Sequence, residues 1–403
     1  MDSVSMRTAW ASWWQRAWVR QPLERAYSSS RNSFGFLRLL FAFAVLVSHT
    51  FKLGYGQDDP VGLWSHGQAE IGSLSVTGFF VISGFLITRS GRRTALGRFA
   101  WHRVLRILPA FWICLLVTAF VLAPIVALIE RGSLSGFWGH PEGPLQYVWH
   151  NWFIAIRQYE ISGLLLDVPY GRMTGSGAID GSLWSLVYEM MCYVMVAALA
   201  VFGILRRARV AVLAAAAAGL LLAVVDLLRA GPGPHGLAGP VFGIDGLDWH
   251  DLIFLTYAFI LGAVLDLYRD RIWLSDGLAI VAGLTVVLTL QFGAFGVLGF
   301  PAYAYLILWA ATRLPGRLQR VGRRNDYSYG FYIYAFPVQQ IFALVGVPSW
   351  GFIPYLVACT VVTLGLAAAS WHVIERPALS FKDWTPPRLA GSTPQPSQQI
   401  GAP

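Results

Sequence analysis

The sequence carries little charge. Only 13% of its 403 residues are Asp, Glu, Lys or Arg, whereas 56% are hydrophobic, a balance that excludes an ordinary soluble domain. The 30 basic residues exceed the 21 acidic ones, but they are interleaved with apolar segments rather than gathered in one patch. This distribution favours membrane topology over nucleic-acid binding. We therefore predict a multi-pass membrane protein with no nucleic-acid partner.

Cysteine and the common catalytic motifs are also scarce. The three cysteines, Cys114, Cys192 and Cys359, all fall within apolar segments and indicate no disulfide framework. The sequence contains no H-E-x-x-H, no G-x-S-x-G and no Gly-rich phosphate loop. Its eight histidines show no ligand-like spacing, so we expect no metal site.

Long apolar runs are abundant and predict an all-α, polytopic bundle of about ten membrane-spanning helices. The predicted spans are 34–53, 72–89, 104–129, 182–204, 209–229, 252–268, 276–291, 295–313, 327–346 and 351–375. With the N-terminus in the cytoplasm, 24 of the 30 Lys and Arg residues fall on the cytoplasmic side. The positive-inside rule therefore predicts that both termini are cytoplasmic.

Three regions flank or interrupt the spans. Residues 1–33 form a cytoplasmic segment whose Trp and Arg spacing predicts an interfacial helix, and 34–377 form the transmembrane domain. Residues 378–403 form a cytoplasmic tail, rich in Pro, Ser and Gln toward its end, that we predict to be disordered. The long loop 131–181 lies outside, and its stretch 147–157 is too short to span, so it folds over the bundle or enters the interface.

Two ionisable residues interrupt the first span. Arg38 and His49 are eleven residues apart, so on a helix they share one face and lie about 16 Å apart along the axis. Buried ionisable groups in a membrane are costly and are retained for a partner or a function. Taken together, the pair favours a functional site over a snorkelling Arg and a hydrogen-bonded His.

Polar residues in other spans extend this hypothesis. Glu189 lies about seven residues into the fourth span, and we predict that it pairs with His49 and fixes its tautomer. Arg103 and Arg106 share a helical face and are suited to grip phosphate, although by themselves they are better explained by positive-inside anchoring. Gly78 and Ser83 leave room for a narrow ligand or for close helix packing.

Several stretches together resemble the acyltransferase-3 family of integral membrane proteins, which transfer acyl groups to extracytoplasmic glycans and other acceptors. The matching stretches are Arg38 and His49 with ten residues between them, GFFVISGF at 78–85, Arg103-x-x-Arg106 before Pro109, LWSLVYE at 183–189, SYGFYIY at 328–334 and IERP at 374–377. They occur in this order over about 340 residues.

The resemblance implies that Arg38 and His49 are essential, that Arg103 and Arg106 help to hold acyl-CoA, and that Glu189 belongs to the reacting centre. The sequence departs from the family at Ala335, where many members have His, which leaves His49 as the sole candidate base. No appended esterase-like domain accompanies the bundle, so we expect the bundle and its outer loop to handle the acceptor.

These observations predict an acyltransferase of the bacterial inner membrane that uses acetyl-CoA or another short acyl-CoA, such as succinyl-CoA, without a metal. Its acceptor is a hydroxyl of a glycan or lipid-linked glycan, or a non-glycan acceptor, and membrane lipids surround it. Catalysis by His49 as base and by an acyl-histidine intermediate both fit the residues. The predicted roles beyond the pair His49 and Glu189 are donor binding by Arg38, Arg103, Arg106, Gly78, Phe79 and Ser83, and substrate or oxyanion contacts by Trp184, Tyr188, Tyr332 and Gln339.

A polytopic glycan or lipid transporter is the alternative class, since it also uses buried polar groups. It gives no reason for paired arginines at a cytoplasmic mouth and would show inverted repeats, which the sequence lacks.

Overall fold

The computed structural model describes residues 18–207, 209–231, 239–241 and 243–384, and most of these residues are helical. The α-helices, in chain order, are α1 (Leu23–Ala26), α2 (Phe34–Tyr55), α3 (Pro60–Trp64), α4 (Ile71–Arg93), α5 (Leu96–Val117), α6 (Ala123–Arg131), α7 (Pro144–Asn151), α8 (Pro169–Thr174), α9 (Leu186–Val201), α10 (Ile204–Arg207), α11 (Arg209–Ala230), α12 (Trp249–Leu267), α13 (Asp276–Phe292), α14 (Phe300–Arg313), α15 (Ser328–Leu344), α16 (Phe352–Ser370) and α17 (Arg376–Ser380).

Short helices of other types and four strands complete the described chain. The π-helices are Thr118–Leu122, Phe295–Gly299 and Trp371–Glu375, and the 3₁₀-helices are Ser182–Ser185, Leu318–Arg320, Val347–Trp350 and Phe381–Asp383. Strand β1 (Gln21–Pro22) pairs with β4 (Trp273–Leu274), and β2 (Pro240–Val241) pairs with β3 (Ile244–Asp248), both in antiparallel fashion.

The structure confirms the membrane helical bundle. Within the described residues, eight helical segments are long and apolar enough to cross a membrane. They coincide with eight of the ten predicted spans, and the predicted seventh and ninth spans are the 17-residue helices α13 and α15. The predicted interfacial helix falls largely on residues 1–17, outside the described chain. The predicted tail differs at its start, because the chain remains helical to Asp383; residues 385–403 are also outside.

The closest packing in the bundle is between α4 and α12, and glycines permit it. A Cβ added to Gly84 would lie 1.9 Å from the backbone oxygen of Phe259, and one added to Gly262 would lie 2.1 Å from that of Val81. Small residues let helix backbones approach in this way inside a membrane. The backbones of α4 and α12 are therefore in direct contact.

The two ends of the bundle differ. One end, which holds Arg103 and Arg106, is called the basic end here. The opposite end is covered by the loop 131–181, which packs on the bundle: Tyr147 and Asn151 are buried, and the Trp112 indole donates to the backbone oxygen of Trp152 (3.0 Å). The loop 131–181, called the roof loop here, therefore covers the helices at that end.

Candidate active site

A cavity of about 360 Å³, the basic-end cavity, opens among α2, α4, α5, α9 and α15. Its mouth carries cationic side chains, and its deeper wall carries hydroxyl, carboxyl and aromatic groups. The lining residues predicted from the sequence are Arg38, Phe79, Ser83, Arg103, Arg106, Glu189 and Tyr332. The structure therefore brings most of the predicted donor-binding residues to one cavity.

Asp326 organises the arginines of this cavity. One of its carboxylate oxygens lies 2.9 Å from Arg38 and 2.6 Å from Arg106, while Ser328 donates to the other (2.6 Å). Burial raises the pKa of the Asp326 carboxyl, but the two guanidinium groups and Ser328 outweigh it, so the pKa lies below its ordinary value. Glu375 is a second carboxylate, 3.8 Å from Arg106.

Arg103 differs from these two arginines. Its guanidinium lies 5.7 Å from the ring centroid of Tyr193, a cation–π distance. The structure gives it no hydrogen bond or salt bridge to any described residue, and its Nε atom is buried without a partner. Arg103 therefore has hydrogen-bonding capacity left for an anionic ligand.

Glu189 lies in the basic-end cavity rather than beside His49. One carboxylate oxygen accepts hydrogen bonds from Ser83 (2.8 Å) and Tyr193 (2.5 Å). The predicted pair with His49 is therefore wrong. The depth estimate failed because the chain is already inside the bundle before Leu186: Ala178 accepts a hydrogen bond from Gln340 (2.6 Å) in α15. Ser83, the partner of Glu189, lies ten residues along α4 from Ser73, which lines the His49 cavity. Glu189 therefore sits about 15 Å nearer the basic end than Ser73.

A second cavity of about 450 Å³, the His49 cavity, lies toward the opposite end. The bundle contributes His49, Lys52, Glu70 and Trp184, and the roof loop contributes residues between Tyr159 and Ala178. The cavity therefore combines titratable groups with aromatic walls, which is typical of a substrate site.

His49 is held by packing alone. Its ring meets Phe336 edge to face at a centroid distance of 5.2 Å. Neither ring nitrogen hydrogen-bonds to any residue in the described part of the chain, and Nδ1 is buried. A neutral imidazole in this environment retains a lone pair that can accept a proton from a bound hydroxyl.

Polar contacts fix the helix around His49. The neighbouring Ser48 hydroxyl donates to Asp59 (2.5 Å), a buried carboxylate that also accepts from the backbone of Val61 (3.0 Å) and Ile71 (2.8 Å). Three residues along, Lys52 forms a salt bridge with Glu70 (2.6 Å). The orientation of α2 against α4 is thus set by charge-assisted bonds on both sides of His49.

The two cavities share two lining residues, which mark the junction between them. Val76 and Tyr332 line both cavities, and the Tyr332 hydroxyl is hydrogen-bonded to Ser185 (2.7 Å). One elongated ligand can therefore extend from the arginines to His49 if it passes between Val76 and Tyr332.

Three predicted site residues line neither cavity. A Cβ added to Gly78 would lie 2.5 Å from the Phe41 ring, so this glycine serves helix packing and not a ligand. The Tyr188 hydroxyl accepts a hydrogen bond from the backbone of Asp248 (2.7 Å), and the Gln339 amide donates to Leu46 and Thr50 (3.0 Å each). The roles predicted for these residues therefore require correction to structural ones.

Sequence reasoning missed Asp326, Ser185 and Asp59. Asp326 had a signal, because it is the only acidic residue in the basic stretch 314–327 and stands two positions before SYGFYIY. Ser185 and Asp59 had none, since isolated polar residues near span ends are common. Among the described residues, no group of His, Cys, Asp and Glu side chains forms a metal site.

The chain is similar to known proteins over most of its length. A family profile described as an acyltransferase domain of the acyltransferase-3 type matches residues 31–372. The chain is 29% identical over 358 residues to a protein of Shigella phage Sf6 named O-acetyl transferase, covering 86% of this chain and 95% of that protein. It is 30% identical over 387 residues to Nodulation protein 10 of Rhizobium leguminosarum bv. viciae, covering 90% and 96%. No solved structure matches. The chain therefore belongs to the acyltransferase-3 family of acyltransferases.

Proposed function

We propose that this protein transfers an acetyl group from acetyl-CoA, taken from the cytoplasm, to a hydroxyl of an extracytoplasmic or lipid-linked glycan at the bacterial inner membrane. The observation that carries the proposal is the pair of cavities that meet at Val76 and Tyr332. The name of the phage relative supports acetyl as the group and oxygen as the acceptor atom.

The basic-end cavity suits the nucleotide part of the donor. Guanidinium groups bind phosphate through paired, charge-assisted hydrogen bonds, and Arg103 has no competing anion in the part of the chain that the structure describes. Arg38 and Arg106 are partly neutralised by Asp326, which keeps them oriented. The positive-inside distribution supports a cytoplasmic location for this end.

The thioester arm would then run past Phe79, Ser83 and Tyr332 toward His49. Eleven residues of helix separate Arg38 from His49, which is about 16 Å along the axis. The arm is thin and largely uncharged, so a narrow passage with one apolar side accommodates it. This geometry supports transfer across the membrane rather than at one surface.

His49 acts as general base. Its ring nitrogen takes the proton of the glycan hydroxyl while the hydroxyl oxygen attacks the thioester carbonyl. The C–S bond then breaks, and the departing CoA thiolate recovers the proton from His49. The products are the glycan ester and CoA. General-base catalysis of this kind contributes about 10²- to 10⁴-fold.

Mass spectrometry of envelope and extracellular glycans tests the proposal, using cells that lack the gene and cells complemented with wild type, His49→Ala or His66→Ala. We expect one acetyl substituent to disappear on deletion and to return with wild type and with His66→Ala, which alters an exposed histidine. Restoration by His49→Ala would overturn the mechanism, and unchanged glycans in the deletion strain would overturn the glycan acceptor.

Donor binding is tested separately with purified protein in detergent. Saturating acetyl-CoA should raise the melting temperature of both wild type and His49→Ala, since a ligand that binds only the native state stabilises it. A wild-type melting temperature that acetyl-CoA leaves unchanged would contradict the donor site.

A further inference from the structure

A third cavity, the side cavity, adjoins the His49 cavity and is not used by the mechanism above. It has a volume of about 140 Å³ and lies between the ends of α11 and α12 and the π-helix Phe295–Gly299. Its wall includes Ser73, Val76 and Trp184, all of which also line the His49 cavity. A molecule bound at His49 can therefore extend directly into it.

The side cavity contains polar groups that the fold does not satisfy. Asp226 is more than nine-tenths buried, and its Oδ1 atom has no hydrogen-bond partner among the described residues. The Nδ1 atom of His250 is also buried and has no partner in the described structure. Asp251 lines the same cavity. Buried polar atoms are nearly always hydrogen-bonded in native proteins, so atoms without a partner that line a cavity indicate a ligand.

The hydrogen-bonding groups and aromatic side chains of the side cavity indicate which kind of ligand it can bind. Ionised carboxylates only accept hydrogen bonds, so Asp226 and Asp251 require a ligand rich in donors. Trp184 offers an aromatic face, and Phe254, Phe295 and Phe300 supply apolar walls. A pyranose ring presents both hydroxyl donors and apolar C–H faces.

The charges that line the side cavity restrict the class of ligand further. No Lys or Arg occurs among the described residues that line the side cavity, whereas the basic-end cavity has Arg38, Arg103, Arg106 and Lys382. Two carboxyl groups without a cation disfavour a uronic acid or a phosphorylated sugar, since the like charges repel.

We infer that the side cavity binds a neutral, hydroxyl-rich sugar unit of the acceptor, next to the unit that is acylated at His49. Asp226 and Asp251 accept hydrogen bonds from its hydroxyl groups, and Trp184 contacts the sugar between the two cavities. This inference rests on the proposed function and identifies Asp226, Asp251 and Trp184 as specificity-determining residues for the acceptor.

The test measures acetyl transfer by purified protein from labelled acetyl-CoA to the glycan fraction extracted from the envelope of the deletion strain. We expect the double variant Asp226→Asn/Asp251→Asn to raise the KM for glycan at least tenfold while the KM for acetyl-CoA stays within twofold of wild type. The control is Asp270→Asn, which makes one such change in a side chain 44% exposed at the basic end and should leave both constants unchanged.

Two further readouts separate the possible failures. Acetyl-CoA should raise the melting temperature of the double variant as it does for wild type, which reports a folded donor site. If that shift is lost, His250→Gln, at a partly exposed position, replaces the double variant, with the same rise in glycan KM expected. A glycan KM within twofold of wild type in a folded variant would overturn the inference alone, whereas no transfer by wild type would overturn the proposed function and the inference with it.

Discussion

At the basic end, Arg38 and Arg106 share the carboxylate of Asp326, whereas at the opposite end neither ring nitrogen of His49 has a hydrogen-bond partner in the described structure. The first arrangement orients charged groups before any ligand arrives. The second leaves a basic atom available to the substrate. This difference indicates that binding and reaction place different demands on polar groups. A group that binds a ligand needs prior partners that hold it, whereas a group that takes a proton in the proposed reaction needs an unoccupied lone pair.

Removing Asp326 tests the first half of the comparison and has the largest expected effect. Asp326→Asn should lower the free energy of unfolding by about 3 kcal/mol, because it leaves two partly buried arginines without their shared charge. Thermal melting in detergent measures the change. Asp383→Asn, at an exposed position nearby, is the control and should melt like wild type.

The same carboxyl predicts a pH dependence. The pKa of Asp326 in the folded protein lies below its ordinary value of about 3.9. Its contribution to stability is therefore fully present above about pH 4 and is lost as the pH falls through the folded pKa. In a Glu375→Gln background, which removes the other carboxyl beside Arg106, the difference in melting temperature between Asp326 and Asp326→Asn should stay constant from pH 8 to pH 5. A difference that shrinks within that range would contradict the assignment.

Blocking the junction tests whether the two cavities act as one site. Val76→Trp should reduce acetyl transfer about 100-fold, because a misplaced thioester loses the reactive geometry. Acetyl-CoA should still raise the melting temperature, since its nucleotide binds below the block. Val357→Trp, on a side chain 54% exposed on the outside of α16, is the control. Unreduced transfer by Val76→Trp would show that the arm takes another path.

Substitution of Arg103 and of Arg106, the two arginines of one motif, separates ligand binding from structural support within the basic end. These substitutions have the smallest expected effect. Arg103→Gln should weaken acetyl-CoA binding about tenfold, the worth of one charge-assisted contact, with little change in melting temperature. Arg106→Gln should lower the melting temperature as well, because Arg106 bonds to Asp326. Calorimetric titration with acetyl-CoA and thermal melting measure the two effects. Equal losses of stability in both variants would contradict the distinction.

The ten helices were predictable because a membrane span needs about 20 apolar residues and the sequence contains ten apolar runs close to that length. The grouping of Arg38, Arg103 and Arg106 also followed from their positions at one end of two helices. The position of Glu189 did not, because hydropathy reports contact with lipid. It cannot show where a chain enters a bundle when residues such as Ala178 are covered by protein.

The side cavity was equally out of reach of the sequence. Asp226, His250 and Asp251 stand near the ends of two helices, where polar residues ordinarily face water or lipid headgroups. Only the packing of α11, α12 and the π-helix Phe295–Gly299 encloses them. Sequence reasoning finds motifs along one helix more readily than clusters formed by several.

The junction between the cavities also bears on the energy balance of the cell. A continuous water-filled passage would let protons cross and dissipate the membrane potential, which stores about 2.3 kcal/mol per charge for each 100 mV. The junction is lined by the apolar Val76 and by Tyr332, whose hydroxyl is already bonded to Ser185. Narrow apolar constrictions exclude water when no ligand fills them. Under the proposed function, a junction of this composition would let an acyl group pass outward without dissipating the membrane potential.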